Sequence, residues 1–353
     1  MGGAVIDYFV LDHKFRRTNV IDQYNSMIWS ERYDDVGTCE LVFHETNRPM
    51  NYSIVPGVYL GNSKSNVIMK IESVSRKFVK GEGVTFTYRG KSLQNLLSQR
   101  AIFVGVKNPN FRYRSNLADT ICKVVERCFV RGSTYFREDA VDGFTVINDA
   151  GTGEAISSEL KPRNLLETVL ELLPMKGIGF EVYPVEPYGY HFRVYDGAKR
   201  QNVMLSVDFD NVTEEQHFTD ISEHKNVAYV WSGDQTRFTA AYANDPAELR
   251  DNIDRKVLQV DASDIRAEDY ETDALFKEAL QFRGLQELAK CKRWKFYDAE
   301  IEPNTFTYRK DFFLGDVVKV RGLEGRFVEM MLVENTWTHD REGFKSIPTV
   351  REI

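Results

Sequence analysis

The sequence predicts a strand-rich α+β fold, and three observations support this prediction. Aromatic residues make up 12% of the 353 residues, with 23 Phe and 17 Tyr, and these residues favour the half-buried surfaces of β-sheets. Short apolar segments are separated by turn residues at spacings of roughly 8–12 residues in the first part of the chain, as in barrels and sandwiches. Segments with helical periodicity interrupt the strands further along the chain.

The composition bounds the size and the class of the protein. A length of 353 residues predicts two or three domains. The apolar fraction of 42% is enough to bury a core. The formal net charge of −7 argues against a protein whose main task is to bind nucleic acid phosphates, because that task needs a basic surface.

The start of the chain and the cysteines indicate a protein made in the cytoplasm. No basic region precedes an apolar run at the start, so we expect no signal peptide. No apolar stretch reaches the roughly 18–20 residues that cross a bilayer, so we expect no membrane anchor. The cysteines are scattered without a CxxC motif, which predicts free thiols in a reducing compartment. They are Cys39, Cys122, Cys128 and Cys291.

Residues 1–100 are predicted to form a first β domain that ends in a short helix at 92–99. Ser92 is the expected N-cap of this helix. The aromatic Trp29 is expected in the core of the domain. The predicted strands are residues 5–11, 39–43, 58–60, 67–74 and 84–88.

Residues 101–205 are predicted to form an α+β insert domain. Ser115 is the expected cap of its first helix, and Pro162 is the expected first residue of its second helix. The leucine-rich stripe at 163–173 is interpreted as core of this domain. The predicted strands are residues 143–147, 178–183 and 190–195.

A second β domain is predicted from residues 206–240 and 296–353, with a helical insert at 241–295 between them. The insert contains a capping-box pattern at Asp245–Glu248 and a longer helix at 268–292. The predicted strands of the domain are residues 226–231, 296–301, 317–320, 326–334 and 347–350.

A faint internal repeat relates the two β domains. Residues 71–74 and Gly81 resemble residues 333–336 and Gly343 at one constant offset. Alternating strands also produce such matches by chance, so both a true duplication and a coincidence stay open.

No motif in the chain predicts catalysis, a metal or a cofactor. Gly90-Lys91-Ser92 follows a strand and opens a helix, as in a phosphate-binding loop, but Thr85 stands where the motif needs its first glycine. The bulky residues between them predict a strand whose amides take part in a sheet. His44-Glu45 lacks the second histidine of a zinc-protease helix.

Four segments of the chain resemble the baseplate or tail hub proteins of long-tailed, siphovirus-type phages. This family is related to the amino-terminal structural part of tail-associated lysins. The segments are residues 20–41, 70–102, 225–230 and 308–320. The signature residues of the resemblance are Trp29, Arg32, Tyr33, Gly37, Gly90, Arg100, Asn226, Leu314, Gly315 and Asp316.

The resemblance implies a structural role without enzymatic activity. Family members form a trimeric ring at the distal end of the tail tube, in the virion tail tip. Each subunit carries two tail-tube-like β-barrels, so that three subunits match a sixfold tube to a threefold tip. The implied partners are two further copies of the chain, the distal tail or tube protein, the tape measure protein and tail-tip or receptor-binding proteins. Genomic DNA would pass through the lumen without specific binding, and a carboxylate-lined lumen would repel its phosphates.

Other functions stay open at this point. One is a tail-tip protein that binds or hydrolyses the cell wall, although the chain stops at Ile353 shortly after the second predicted barrel. Another is the hub of a contractile injection particle or a gene-transfer particle.

Overall fold

The computed structural model describes most of the chain, and all statements below concern those residues. They are residues 6–45, 54–106, 110–132, 137–151, 153–185, 189–233, 238–242, 253, 255–291, 294–302, 305–322, 325–341 and 343–353. The capping-box pattern at Asp245–Glu248 lies outside the described residues.

Strands dominate the described chain. The first seven are β1 (Tyr8–Leu11), β2 (Arg17–Ile21), β3 (Ser26–Arg32), β4 (Thr38–His44), β5 (Tyr59–Asn62), β6 (Ser65–Val79) and β7 (Gly83–Ser92). The next seven are β8 (Phe111–Ser115), β9 (Phe144–Asp149), β10 (Ile156–Leu160), β11 (Gly179–Val185), β12 (Gly189–Tyr195), β13 (Lys199–Leu205) and β14 (Val212–Asp220). The last seven are β15 (Val227–Ser232), β16 (Phe238–Tyr242), β17 (Val257–Ala262), β18 (Trp294–Ile301), β19 (Val317–Arg321), β20 (Phe327–Asp340) and β21 (Gly343–Glu352).

The described chain contains three α-helices, and the first two begin at other residues than the sequence predicted. The helices are α1 (Leu117–Phe129), α2 (Leu165–Leu172) and α3 (Asp273–Lys290). Asn116, not Ser115, caps α1, because its side chain accepts from the Asp119 amide. Asn164 caps α2, so Pro162 lies before that helix.

The predicted helix at 92–99 is a 3₁₀ helix, Leu93–Gln99. Ser92 stands at its N-cap position, as predicted, but the Ser92 side chain makes no capping hydrogen bond and accepts from the Gly37 amide at 2.8 Å.

One large sheet of 13 strands contains both predicted β domains. Its main path is β14-β18-β21-β20-β3-β4-β7-β6-β5-β1-β2, and β19 and β13 branch from β20. The two parts meet where β20 pairs antiparallel with β3, from Glu334 opposite Arg32 to His339 opposite Met27. This continuous pairing confirms a strand-rich α+β fold, and no ring of paired strands closes within the described chain.

The strand order is repeated in the two parts of this sheet. The first part reads β3-β4-β7-β6-β5, and the second reads β14-β18-β21-β20-β19. In both, a long hairpin carries a β-bulge, after Ile71 in β6 and after Leu332 in β20. Glycines with positive φ, Gly81 and Gly343, stand at the two hairpin turns. The faint sequence repeat therefore coincides with a repeated topology.

The remaining strands form three small sheets. β8 pairs with β10, and β9, β12 and β11 form a second sheet. Strand β15, which was predicted as part of the second β domain, pairs instead with β16 and β17 in a small sheet. Their sheet packs on α3, because the small side chains of Ala228 and Ala241 and the flat surface at Gly284 permit a close approach.

The apolar residues form three clusters. The first lies on the large sheet and contains Trp29, Tyr33, Tyr297 and Trp337 from both of its parts. The second surrounds α1 and α2, and it confirms the core role of the leucine-rich stripe through Leu165, Leu172 and Leu173. The third lies between α3 and its sheet. In the described part of the chain, no helix is both long and apolar enough to span a membrane.

Candidate functional site: the Tyr33 junction and the open sheet edges

Tyr33 joins three segments that are far apart in the chain. Its amide donates to the Val333 carbonyl at 2.9 Å, and its carbonyl accepts from the Phe180 amide at 3.0 Å. Its ring is fully buried, and its hydroxyl donates to the Tyr195 carbonyl at 2.9 Å. One residue at the end of β3 therefore fixes the insert and the second part of the sheet to the first.

Two glycines make room for the Tyr33 ring. A Cβ atom at Gly179 or at Gly315 would overlap the ring. Gly315 also has φ = 85°, as expected for a turn before a strand, and Leu314 before it belongs to the core. A third glycine, Gly197, lies against the backbone of Gly315 with no space for a side chain.

Asp316 holds this turn against the insert. Its carboxylate is buried and accepts from the Ala198 amide at 2.8 Å, the Phe313 amide at 2.9 Å and the Arg200 guanidinium at 2.7 Å. A carboxylate with three donors is well compensated for its loss of water.

Glu31 is the centre of a buried polar network beside Tyr33. Its carboxylate is 1% exposed and accepts from Trp29 at 3.0 Å, Tyr308 at 2.9 Å and Arg309 at 2.9 Å. Burial alone would lower the pKa of Arg309, but the charge of Glu31 outweighs burial and raises it. Burial of Trp29, expected from the sequence, is confirmed.

A cavity of about 380 Å³ lies between these groups. Its charged lining residues form balanced pairs, such as Arg200 with Asp316 and Arg193 with Glu181. Burial raises the pKa of Glu181, and the nearby guanidinium of Arg193 opposes this effect. Paired charges of this kind are typical of a structural junction.

Three other signature residues support the first part of the sheet. Arg32 donates to Glu334 across the β3–β20 junction and to the Val36 carbonyl at 2.8 Å. A Cβ atom at Gly37 would come within 2.7 Å of the Ser30 oxygen, and one at Gly90 within 2.7 Å of the Lys70 oxygen. Gly90 pairs with strands on both sides, as expected for a segment that cannot cradle phosphates.

Arg100 and Asn226 lie apart from the Tyr33 junction. Arg100 donates to the Asp139 carbonyl at 3.1 Å, and its guanidinium lies over the Phe129 ring at 5.2 Å. Asn226 accepts from the Lys256 amide at 2.8 Å at the start of the small sheet on α3. Each of them connects two segments that are distant in the chain, 39 residues apart for Arg100 and 30 residues apart for Asn226.

The residues that contact Tyr33 and its neighbours at the junction were not among the signature residues. Glu31 could have been found, because strand alternation places it on the same face as Trp29 and Tyr33, where a carboxylate is unusual. The roles of Gly179, Gly197 and Tyr195 depend on contacts with distant segments, and no local pattern signals them.

Two edges of the large sheet are open within the described chain. β14 pairs only with β18, and the Ser73–Val79 half of β6 pairs only with β7. Apolar side chains are exposed at both edges, with Phe218 49% exposed on β14 and Phe78 64% exposed on β6. Open, partly apolar strand edges are typical of surfaces that pair with another chain.

The charges at the two edges are complementary. Exposed basic residues Arg76, Lys77 and Lys80 occur at the β6 edge, and the β14 edge carries Glu214 and Glu215. These signs would attract each other in a head-to-tail contact between copies.

One face of the large sheet is polar and carries three ion pairs. Arg89 contacts Glu40 at 2.7 Å, and Lys345 contacts Glu300 at 2.9 Å. Arg32 and Glu334 form a third pair on the same face. The register places all three pairs opposite the apolar core side.

The chain is similar to several tail proteins. It matches the family model of the Siphovirus ReqiPepy6 Gp37-like protein over residues 7–350. No curated relative matches the chain. The resemblance to phage tail proteins that the sequence indicated is confirmed.

Solved structures share the fold at low sequence identity. The 43 kDa tail protein of prophage MuSo2 from Shewanella oneidensis has a TM-score of 0.59 at 12% identity, with 98% of each chain covered. The tail protein from Neisseria meningitidis MC58 has a TM-score of 0.55 at 13% identity, covering 98% of this chain and 96% of that one. The prophage tail protein gp18 from Listeria monocytogenes EGD-e has a TM-score of 0.55 at 10% identity, covering 98% and 94%. This chain therefore belongs to the Siphovirus ReqiPepy6 Gp37-like protein family and has a fold shared with phage tail proteins.

Proposed function

We propose that the protein is a structural, non-enzymatic component of a phage tail. In this proposal it forms a homotrimeric baseplate hub at the distal end of the tail tube. The observation that carries the proposal is the repeated strand order of the large sheet. Each copy would present two related β modules, so a ring of three copies would present six modules to a sixfold tube.

The pairing of β20 with β3 within one copy indicates which strands would pair between copies. In the repeat, β20 corresponds to β6, and β3 corresponds to β14. Since β20 pairs with β3 inside the chain, the equivalent pairing joins β6 of one copy to β14 of the next. Both edges are open, apolar in part and of opposite charge, which favours this heterologous contact. Such contacts close into rings when the rotation per copy fits.

The paired polar face would line the channel for genomic DNA. Cations that are held by carboxylates on the same face are less available to phosphates, so DNA would pass without specific binding. In this proposal the ring protein of the tube, the tape measure protein and the tip proteins contact the two ends of the trimeric ring. The two β modules of each copy form barrel-like units within that ring.

The solution mass and the shape of the particle test the ring. We expect a species of three times the 40.8 kDa chain mass by light scattering, with a central hole in negative-stain images. Lys77→Glu and Glu214→Lys should each abolish the trimer, and the double charge swap should restore it. A monomer that persists at about millimolar concentration, or a trimer that all three variants retain, would contradict the proposed contact.

A DNA-binding measurement tests the channel face. The wild-type ring should not retain a short DNA duplex at about 0.15 M salt, since carboxylates hold Arg32, Arg89 and Lys345 on this face. Glu40→Gln releases Arg89 and should introduce weak, salt-sensitive binding. The exposed Glu268→Gln, remote from this face, is the matched control and should leave DNA binding unchanged.

A further inference from the structure

Strand β2, at one end of the large sheet, is a further open edge within the described chain, separate from the β6 and β14 edges of the proposed ring contact. Within the described chain, β2 pairs only with β1. Four of its five residues, Arg17 to Val20, are exposed. Backbone N–H and C=O groups along such an edge are available to an added strand.

A cleft of about 510 Å³ opens beside this edge, between the β1–β2 hairpin and the β11–β12 hairpin. Its lining includes Phe9, Phe15, Ile68, Val185 and Tyr190. The cleft is therefore large enough for one or two apolar side chains, and its walls are suited to them.

The hairpin loop that borders the cleft is held rigidly. The Asp12 carboxylate accepts from the Lys14 amide at 2.8 Å and from the Arg16 amide at 3.0 Å. Hydrogen bonds from Arg16 lower the pKa of Asp12 to about 2, so the carboxylate keeps its charge at neutral pH and in mild acid. Phe15 adopts φ = 59° in this loop and packs against Tyr59 and Tyr190. A rigid loop loses little entropy when a partner binds.

The charged lining of the cleft is basic throughout its described part. Lys14, Arg16 and Arg17 contribute to it, and the Asp12 carboxylate holds the Arg16 guanidinium at 2.7 Å, so Lys14 and Arg17 carry the excess positive charge. The Arg17 guanidinium lies over the Phe9 ring at 4.0 Å, which orients this charge toward the cleft. On a chain of net charge −7, such a local excess of cations favours an acidic partner.

We propose that the β2 edge and this cleft bind an extended, acidic peptide segment of a partner protein. The segment adds as a strand to β2, places an apolar side chain in the cleft and sets its carboxylates against Arg17. A peptide is favoured over a nucleic acid because the edge offers main-chain hydrogen bonds and the cleft has apolar walls. The proposal does not depend on the ring, which uses β6 and β14.

Fluorescence anisotropy with a labelled probe peptide tests this proposal. The probe has about nine residues that alternate Glu with Val or Leu, as a strand with one charged and one apolar face requires. We expect saturable binding that weakens with salt. Arg17→Glu should weaken it by about tenfold or more, and Val185→Trp, which fills the cleft, should weaken it without changing the charge. Arg137→Glu at a distant exposed site is the matched control and should leave it unchanged.

Several outcomes would overturn the proposal. One is the absence of saturable binding up to about 1 mM probe. Equal binding of a probe with Lys in place of Glu would contradict the charge argument. Tighter binding of a DNA duplex would assign the cleft to nucleic acid. Loss of the trimer in Arg17→Glu would assign the β2 edge to a second copy of the chain, whereas an intact trimer with lost peptide binding supports a separate partner site.

Discussion

The ring of Tyr33 lies directly against the backbone of Gly315, where no Cβ atom fits. The contact joins the end of β3 to the turn before β19, and a Cβ atom at Gly179 of the insert would overlap the same ring. The position of all three segments therefore depends on one aromatic side chain and two glycines.

Gly179→Ala should destabilise the protein by about 1–3 kcal/mol, because the added methyl group overlaps the Tyr33 ring. Urea unfolding measures this change. Gly153→Ala is the matched control, since a Cβ atom there meets Lys176 only at an ordinary contact distance of 3.6 Å. Combining Gly179→Ala with Tyr33→Leu should cost less than the sum of the two single changes. Strict additivity would show that the methyl group is accommodated elsewhere.

Glu31→Gln should cost about 3–5 kcal/mol, because it leaves the Arg309 charge without its buried carboxylate. Chemical denaturation gives the free energy of unfolding. Replacing both residues, with Glu31→Gln and Arg309→Met, should recover a large part of this loss. In contrast, Glu40→Gln breaks an exposed pair with Arg89 and should cost about 0–1 kcal/mol. Equal costs at Glu31 and Glu40 would contradict the burial argument.

The stability that Asp264 contributes should disappear in acid. Burial alone would raise the pKa of Asp264, but hydrogen bonds and charges from Arg283 and Lys161 outweigh it and lower the pKa below 3.8. A lowered pKa in the folded state stabilises the protein above the unfolded value, and this contribution is lost as the pH falls through the folded value. The melting temperature of Asp264→Asn should therefore be below that of wild type near neutral pH, and the gap should narrow below about pH 3.8. A gap that widens in acid would contradict this sign.

Thiol reactivity should separate the four cysteines. Burial raises the pKa of Cys39, Cys122 and Cys128 to about 12, so few thiolates form there at mildly alkaline pH. Cys291 is half-buried and should react first with an aromatic disulfide reagent. After unfolding, all four thiols should react at similar rates. Rapid reaction of two or more thiols in the native protein would show that a buried cysteine is accessible.

The sequence predicted much of the local structure but little of the long-range pairing. The apolar patterns identified β1 and β4, and the leucine stripe identified α2, because these patterns depend on neighbours along the chain. The predicted starts of α1 and α2 were wrong, because Ser115 and Pro162 are also typical of helix starts and lie close to the true caps, Asn116 and Asn164. The placement of β15 and β16 on α3 depends on contacts between distant segments, which periodicity does not encode.

At the candidate site, too, local features were predicted and long-range contacts were not. The burial of Trp29 was predicted because a large aromatic residue favours a core. The Glu31–Arg309 pair was not predicted, since its two residues lie in separate segments that the fold brings together. The repeat between the two parts of the sheet was visible in the sequence, whereas the open edges became visible only with the strand order.

The pairing of β3 with β20 also constrains the order of events during synthesis. Arg32 and Glu334, which meet across this junction, are 302 residues apart in the chain. β3 therefore leaves the ribosome long before its partner exists, and its edge stays unpaired while the intervening segments are made. At roughly 5–20 residues per second, that interval lasts on the order of tens of seconds. Translation that stops before β20 leaves an exposed strand edge, so truncated chains should aggregate or depend on chaperones, whereas full-length chains close the edge themselves.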